Sequence, residues 1–170
     1  MTATKYKSKV VYWDCRRRQV IYESQSYRQV TKNRRELKPH VYRFDSTLEF
    51  NVYLKLVEQY GANCIDRQIP LQIHPPTRCL KTGRFWKVDF GLKRSKSNRN
   101  HYAYIEVKGL ITSEFAHKLP MLELHNVEAF EKLHLVFAKK IPKTNTIVRN
   151  LLRTDFSQRI FTLQTLPTIK

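Results

Sequence analysis

The stretch "RFWKVDFGLKRSKSNRNHYAYIEVKG" occupies residues 84–109, and its reading decides the fold. Both ends read as β-strands: "RFWKVDFGL" (84–92) and "HYAYIEVKG" (101–109). Between them "KRSKSNRN" (93–100) is a basic, polar connection. Two such runs with a short polar link predict an antiparallel hairpin. Side chains two apart on a strand share a face. Tyr104, Glu106 and Lys108 therefore share one face, and Ala103, Ile105 and Val107 the other. The second set is apolar and is predicted to be the buried side. Trp86, Val88 and Phe90 form the matching apolar set across the hairpin. If both sets face one core, Asp89 stands on the same surface as Glu106 and Lys108.

Upstream, "STLEFNVYLKLVEQY" (46–60) predicts a helix. Leu48, Val52 and Leu56 recur every four residues, Ser46 fits an N-cap and Gly61 a terminator. "CIDRQIPLQI" (64–73) predicts a strand. Pro70 marks it as an edge strand or a bulge. Downstream, the second half of "ITSEFAHKLPMLELHNVEAFEK" (111–132) predicts a helix. Pro120 suits its first turn, with Met121, Leu124, Val127 and Phe130 along one side. "LHLVFA" (133–138) returns as a strand. Helix, three strands, helix and strand predict an α/β domain with a mixed sheet flanked by helices.

The 170 residues carry 32 Lys and Arg against 14 Asp and Glu, a net charge of +18. Residues 1–43 hold +9 of it, residues 139–170 hold +6, and residues 44–138 only +3. A nearly balanced core (44–138) with a basic N-terminal extension (1–43) and a basic C-terminal extension (139–170) is the expected organisation. Such an excess favours a polyanionic partner, and counterion release points to nucleic acid. "YKSKVVYWD" and "RRRQVIYES" interleave cations with aromatic and β-branched residues, like two strands of a hairpin. Arg16, Arg17 and Arg18 are candidate DNA contacts, as are Lys93, Arg94, Lys96 and Arg99 in the central loop. No apolar run approaches a membrane span, no secretory leader pattern opens the chain, and no basic amphipathic helix suits a membrane surface. Three cysteines without a close pair suit a reducing, cytoplasmic compartment. Cys64, His74 and Cys79 match no familiar zinc spacing.

Crowding Asp89 against Glu106 is unfavourable unless a positive charge compensates. Mg²⁺ takes hard oxygen ligands and keeps several waters beside one or two carboxylates. With Lys108 to hold a water or a developing negative charge, the set matches phosphodiester hydrolysis. The plainer reading is a surface salt bridge between Glu106 and Lys108. Glu49 also has two readings. "STLE" fits a capping box, in which Glu49 bonds back to the helix start; alternatively Glu49 projects toward the metal.

"VDF" (88–90) followed by "IEVKG" (105–109) resembles the PD-(D/E)XK nuclease signature, with Val88 where the signature has proline. "FDSTLEFNVYLKL" (44–56) resembles the glutamate-bearing first helix of that superfamily, and "IDRQIPLQI" (65–73) the strand that follows it. Order and spacing are similar to endonuclease I-type junction resolvases, to small phage nuclease domains and to the end-cleaving endonuclease subunit of some transposons. The resemblance covers residues 44–138 and implies a restriction-endonuclease-like core. It implies Asp89 and Glu106 as ligands of Mg²⁺ (or Mn²⁺ in its place), helped by the Val107 backbone carbonyl. It implies Lys108 as the residue that positions water, Glu49 as a first-helix catalytic acid and Gln68 as an accessory residue. The expectation is a phage or mobile-element DNA endonuclease, cutting specific sites or branched DNA. Cutting two strands calls for two sites, hence a homo-oligomer. The alternative is a non-catalytic nucleic-acid-binding protein. No His–Asn pairing of the ββα-metal type and no acidic helix repeat of the dodecapeptide type occurs.

Overall fold

The computed structural model describes residues 9–21 and 40–169. Residues 1–8 and 22–39 of the basic N-terminal stretch lie outside these, as does Lys170. The chain divides into two compact units, residues 1–53 and 54–170.

In the first unit, β1 (Val11–Asp14) pairs antiparallel with β2 (Gln19–Ile21) and with β3 (Val41–Phe44), in the order β2-β1-β3. The expected hairpin is present, and its turn is Cys15–Arg18. The Asp14 carboxylate accepts the backbone N–H groups of Arg16 and Arg17 at 2.9 and 3.0 Å. A short acid can close a turn in this way on its own following amides. Arg16, Arg17 and Arg18 are left exposed on the turn. The first half of α1 (Thr47–Tyr60) supplies the aromatic core. Phe50 stands 5.3 Å from the Trp13 ring and 5.3 Å from Phe44, and Tyr53 stands 5.1 Å from Phe44.

The second unit is built on a five-stranded mixed sheet ordered β4-β5-β6-β7-β8. Its strands are β4 (Ile65–His74), β5 (Arg84–Leu92), β6 (Ala103–Lys108), β7 (Leu133–Phe137) and β8 (Ile160–Thr162). β4, β5 and β6 run antiparallel in succession, and β6, β7 and β8 run parallel. The hairpin of residues 84–109 is therefore present, and Pro70 lies on the edge strand β4, where a missing N–H is tolerated. Three helices complete the unit: α2 (Ser113–His125), α3 (Val127–Glu131) and α4 (Thr146–Leu151). The fold is α/β, with helices accompanying both sheets.

Three details depart from expectation. α2 begins at Ser113 instead of near Pro120, because the Thr112 side chain accepts the Phe115 N–H at 3.2 Å and caps the helix there. Pro120 sits inside α2. The inward residues are Phe115, Leu119 and Leu122, whereas Leu124 and Val127 are 71% and 58% exposed. β8 comes from the stretch expected as a C-terminal extension. That stretch is tied in further by Lys55, whose Nζ donates to the Leu163 carbonyl at 2.9 Å, and by the Tyr60 and Tyr102 hydroxyls, both donating to the Ile169 carbonyl at 3.3 Å.

The third departure shapes the site. Alternation alone puts Trp86, Val88 and Phe90 on one face. Yet Trp86 and Val88 belong to the apolar cluster containing Phe115, Leu133, Leu135 and Phe137, and Phe90 does not. β4 behaves alike: Leu71 and Ile73 are in that cluster, Ile65 is not. The pairing runs Arg67↔Phe90 and then Ile69↔Val88, skipping Gln68 opposite Asp89. Gln68 has φ 53°, in the left-handed region, which re-aims the strand. Both strands of the ribbon thus exchange faces at Gln68 and Asp89.

Candidate active site

Asp89 stands where β5 parts from β6. The β5–β6 ladder runs from Leu92↔Ala103 to Phe90↔Ile105. At the next position the Val107 backbone N–H donates to Asp89 Oδ2 at 2.8 Å. Gln68 Nε2 donates to Asp89 Oδ1 at 3.4 Å. The face exchange thus aims the acid of β5 at the end of β6.

Glu106 and Lys108 share a face of β6, as alternation requires, and Lys108 Nζ lies 2.5 Å from Glu106 Oε1. The expectation that this face is open to solvent is corrected. Glu106 is only 3% exposed. β6 is the middle strand of five, and its register sets Tyr104, Glu106 and Lys108 beside Leu133, Leu135 and Phe137 of β7, which are buried. The Lys108 ammonium lies 5.0 Å from the centroid of the Phe115 ring of α2.

Electrostatics follow from this burial. Burial pushes the Asp89 carboxyl up, and the Glu106 charge adds to it, giving a value of about 7. The Val107 N–H, Lys108 and Gln68 act against that rise without cancelling it. Burial also pushes the Glu106 carboxyl up, opposed first by Lys108 and further by Lys118. Glu106 Oε2 is buried and has no hydrogen-bond partner. An unpartnered buried carboxylate oxygen is costly, and a cation is what would relieve it. Among the described residues no group of three or more His, Cys, Asp or Glu side chains converges on one point. A cation here would have two carboxylates and water, which is an Mg²⁺-like set and a poor zinc set. The residues present fit the group.

Glu49 belongs to the first unit, buried in the first turn of α1. Its Oε2 accepts the Asp45 N–H at 2.9 Å, and its own N–H donates to Ser46 Oγ at 3.0 Å. This is the reciprocal bonding of a capping box, with the acid reaching one residue beyond the cap.

The loop between β5 and β6 leaves at Leu92 and returns at Ala103. Asp89 and Glu106 lie three residues from it, about 10 Å of strand, so it does not adjoin the acid pair. Lys93 is bound at its base: the side chain is 12% exposed and Nζ lies 2.9 Å from Asp66 Oδ1. His101 Nε2 meets the other Asp66 oxygen at 2.9 Å. Arg94 rests over the Tyr102 ring at 5.4 Å, and Arg94, Lys96 and Arg99 are exposed. Two neighbours of the site, Phe115 and Lys118, escaped the sequence reading. Thr112 as an N-cap would have phased the helix and revealed both.

No protein-family model, no curated protein and no solved structure matches the chain. Among the described residues no helix is long and apolar enough to cross a membrane.

Proposed function

We propose that this chain is a divalent-metal-dependent DNA endonuclease with a restriction-endonuclease-like core. The observation that carries the reading is the buried, unpartnered Glu106 Oε2 beside Asp89, in a protein of net charge +18. Asp89 and Glu106, with the Val107 carbonyl, would hold Mg²⁺ or Mn²⁺. Such a cation supplies Lewis acidity toward a phosphoryl oxygen and lowers the pKa of water. Lys108 can turn its ammonium from Glu106 Oε1 toward an attacking water or a non-bridging phosphate oxygen, offering a charged donor where negative charge develops. The basic surfaces bring the phosphodiester, Arg16–Arg18 and the exposed Arg94, Lys96 and Arg99 among them. Two sites on two strands make the working unit a homo-oligomer.

Supercoiled plasmid incubated with Mg²⁺, with and without chelator, tests this. Nicking or linearisation that needs Mg²⁺ is expected. Asp89→Asn, Glu106→Gln and Lys108→Ala should each lower it by roughly a hundredfold or more while leaving DNA binding in place. The Lys108–Glu106 ion pair favours a second reading, a non-catalytic nucleic-acid binder in which that pair is only structural. Plasmid and cruciform DNA bound but never cut would establish that reading instead.

A further inference from the structure

From Val88 to Arg84, β5 pairs with β4 alone. This two-stranded arm and the first half of α2 bound a cleft of about 510 Å³. The arm's tip is fixed by Gly83, with φ +71°; a Cβ there would lie 2.6 Å from the His74 carbonyl oxygen. One wall presents Arg84 and Phe85, the other Glu114, His117 and Lys118. Phe85 is 52% exposed, an open aromatic surface in a cleft it shares with Arg84 and Lys118. Lys118 is paired with Glu114 at 2.5 Å, and its charge reaches Glu106. The same helix carries Phe115, which packs edge-on against Trp86 at 5.7 Å and lies under Lys108. The cleft and the catalytic residues thus share one wall.

An exposed aromatic ring in a cleft that also holds cations is a stacking platform for nucleic acid. Within a duplex the base faces are already stacked, so such a ring reaches only a base that is unpaired. The volume also suits a nucleotide-sized group, not a double helix. We infer that the cleft takes an unpaired nucleotide of the DNA substrate, its base on Phe85 and its phosphate between Arg84 and Lys118. The preferred substrate is then duplex DNA carrying a single-stranded segment. This rests on the endonuclease reading for its purpose, since the cleft and Lys108 both adjoin α2.

The test is fluorescence anisotropy of the full chain in chelator, on a blunt duplex and on the same duplex bearing an oligothymidine flap. The flapped DNA should bind about tenfold more tightly. Phe85→Ala should abolish the preference and Phe85→Trp should keep it. Lys118→Gln, on the opposite wall, should weaken the preference independently. Equal affinity of the unaltered chain for both DNAs, or a preference untouched by Phe85→Ala, overturns the inference. Chelator separates the two claims. Flap preference without Mg²⁺-dependent cutting of either plasmid or the flapped DNA sinks the endonuclease reading alone. Mg²⁺-dependent cutting without flap preference sinks this inference alone.

Discussion

Asp89 accepts two hydrogen bonds and still holds its proton to about pH 7, because burial and the Glu106 charge outweigh its donors. A folded-state carboxyl raised above its ordinary value favours the folded protein below that ordinary value. The benefit is lost as pH rises through the folded value. Without metal, ionised Asp89 therefore costs stability above pH 7. Asp89→Asn should stabilise the metal-free chain by on the order of 2 kcal/mol at pH 8, with the gain fading toward pH 4. Urea unfolding in chelator at the two pH values checks this; a gain independent of pH contradicts it. Glu49 offers a contrast: its carboxylate accepts the Asp45 N–H and its own N–H donates to Ser46 Oγ, bracing the start of a helix. Its local motif made that role legible from "STLE" alone.

At the scale of elements, the β5–β6 hairpin was legible because alternation and a polar loop are local signals. The exchange of faces at Gln68 and Asp89 was not. It depends on one residue of β4 adopting φ 53°, and a glutamine announces no such conformation. The start of α2 was hidden by competing signals, since proline suits a first turn but here occupies the interior. Gly83 is the element-scale hinge of the β4–β5 arm, buried at a positive φ against backbone. Gly83→Ala combines a strained conformation with a clash that cannot be relieved by side-chain motion. It should cost about 1–3 kcal/mol and weaken flap binding with it. An unchanged urea midpoint would contradict that account of the turn.

At the scale of the molecule, charge asymmetry was plain in the sequence, but the use of the chain ends was not. β8 is three residues long, too short for alternation to show. The burial of Glu106 follows from β6 being the middle strand, a property of topology that no local pattern carries. The exposed Arg16–Arg18 turn predicts a salt effect. Replacing all three by Gln should make the slope of log K against log salt shallower by about 2 to 3 for DNA. An unaltered slope means that the turn does not meet phosphate. The central claim is that Asp89 and Glu106 are built around a divalent cation, and calorimetric titration of Mn²⁺ into the DNA-free chain tests it most directly. One site per chain is expected at pH 8, weaker at pH 6 as protons compete, and absent in Asp89→Asn and Glu106→Gln. No binding at pH 8, or binding untouched by both substitutions, would contradict the account.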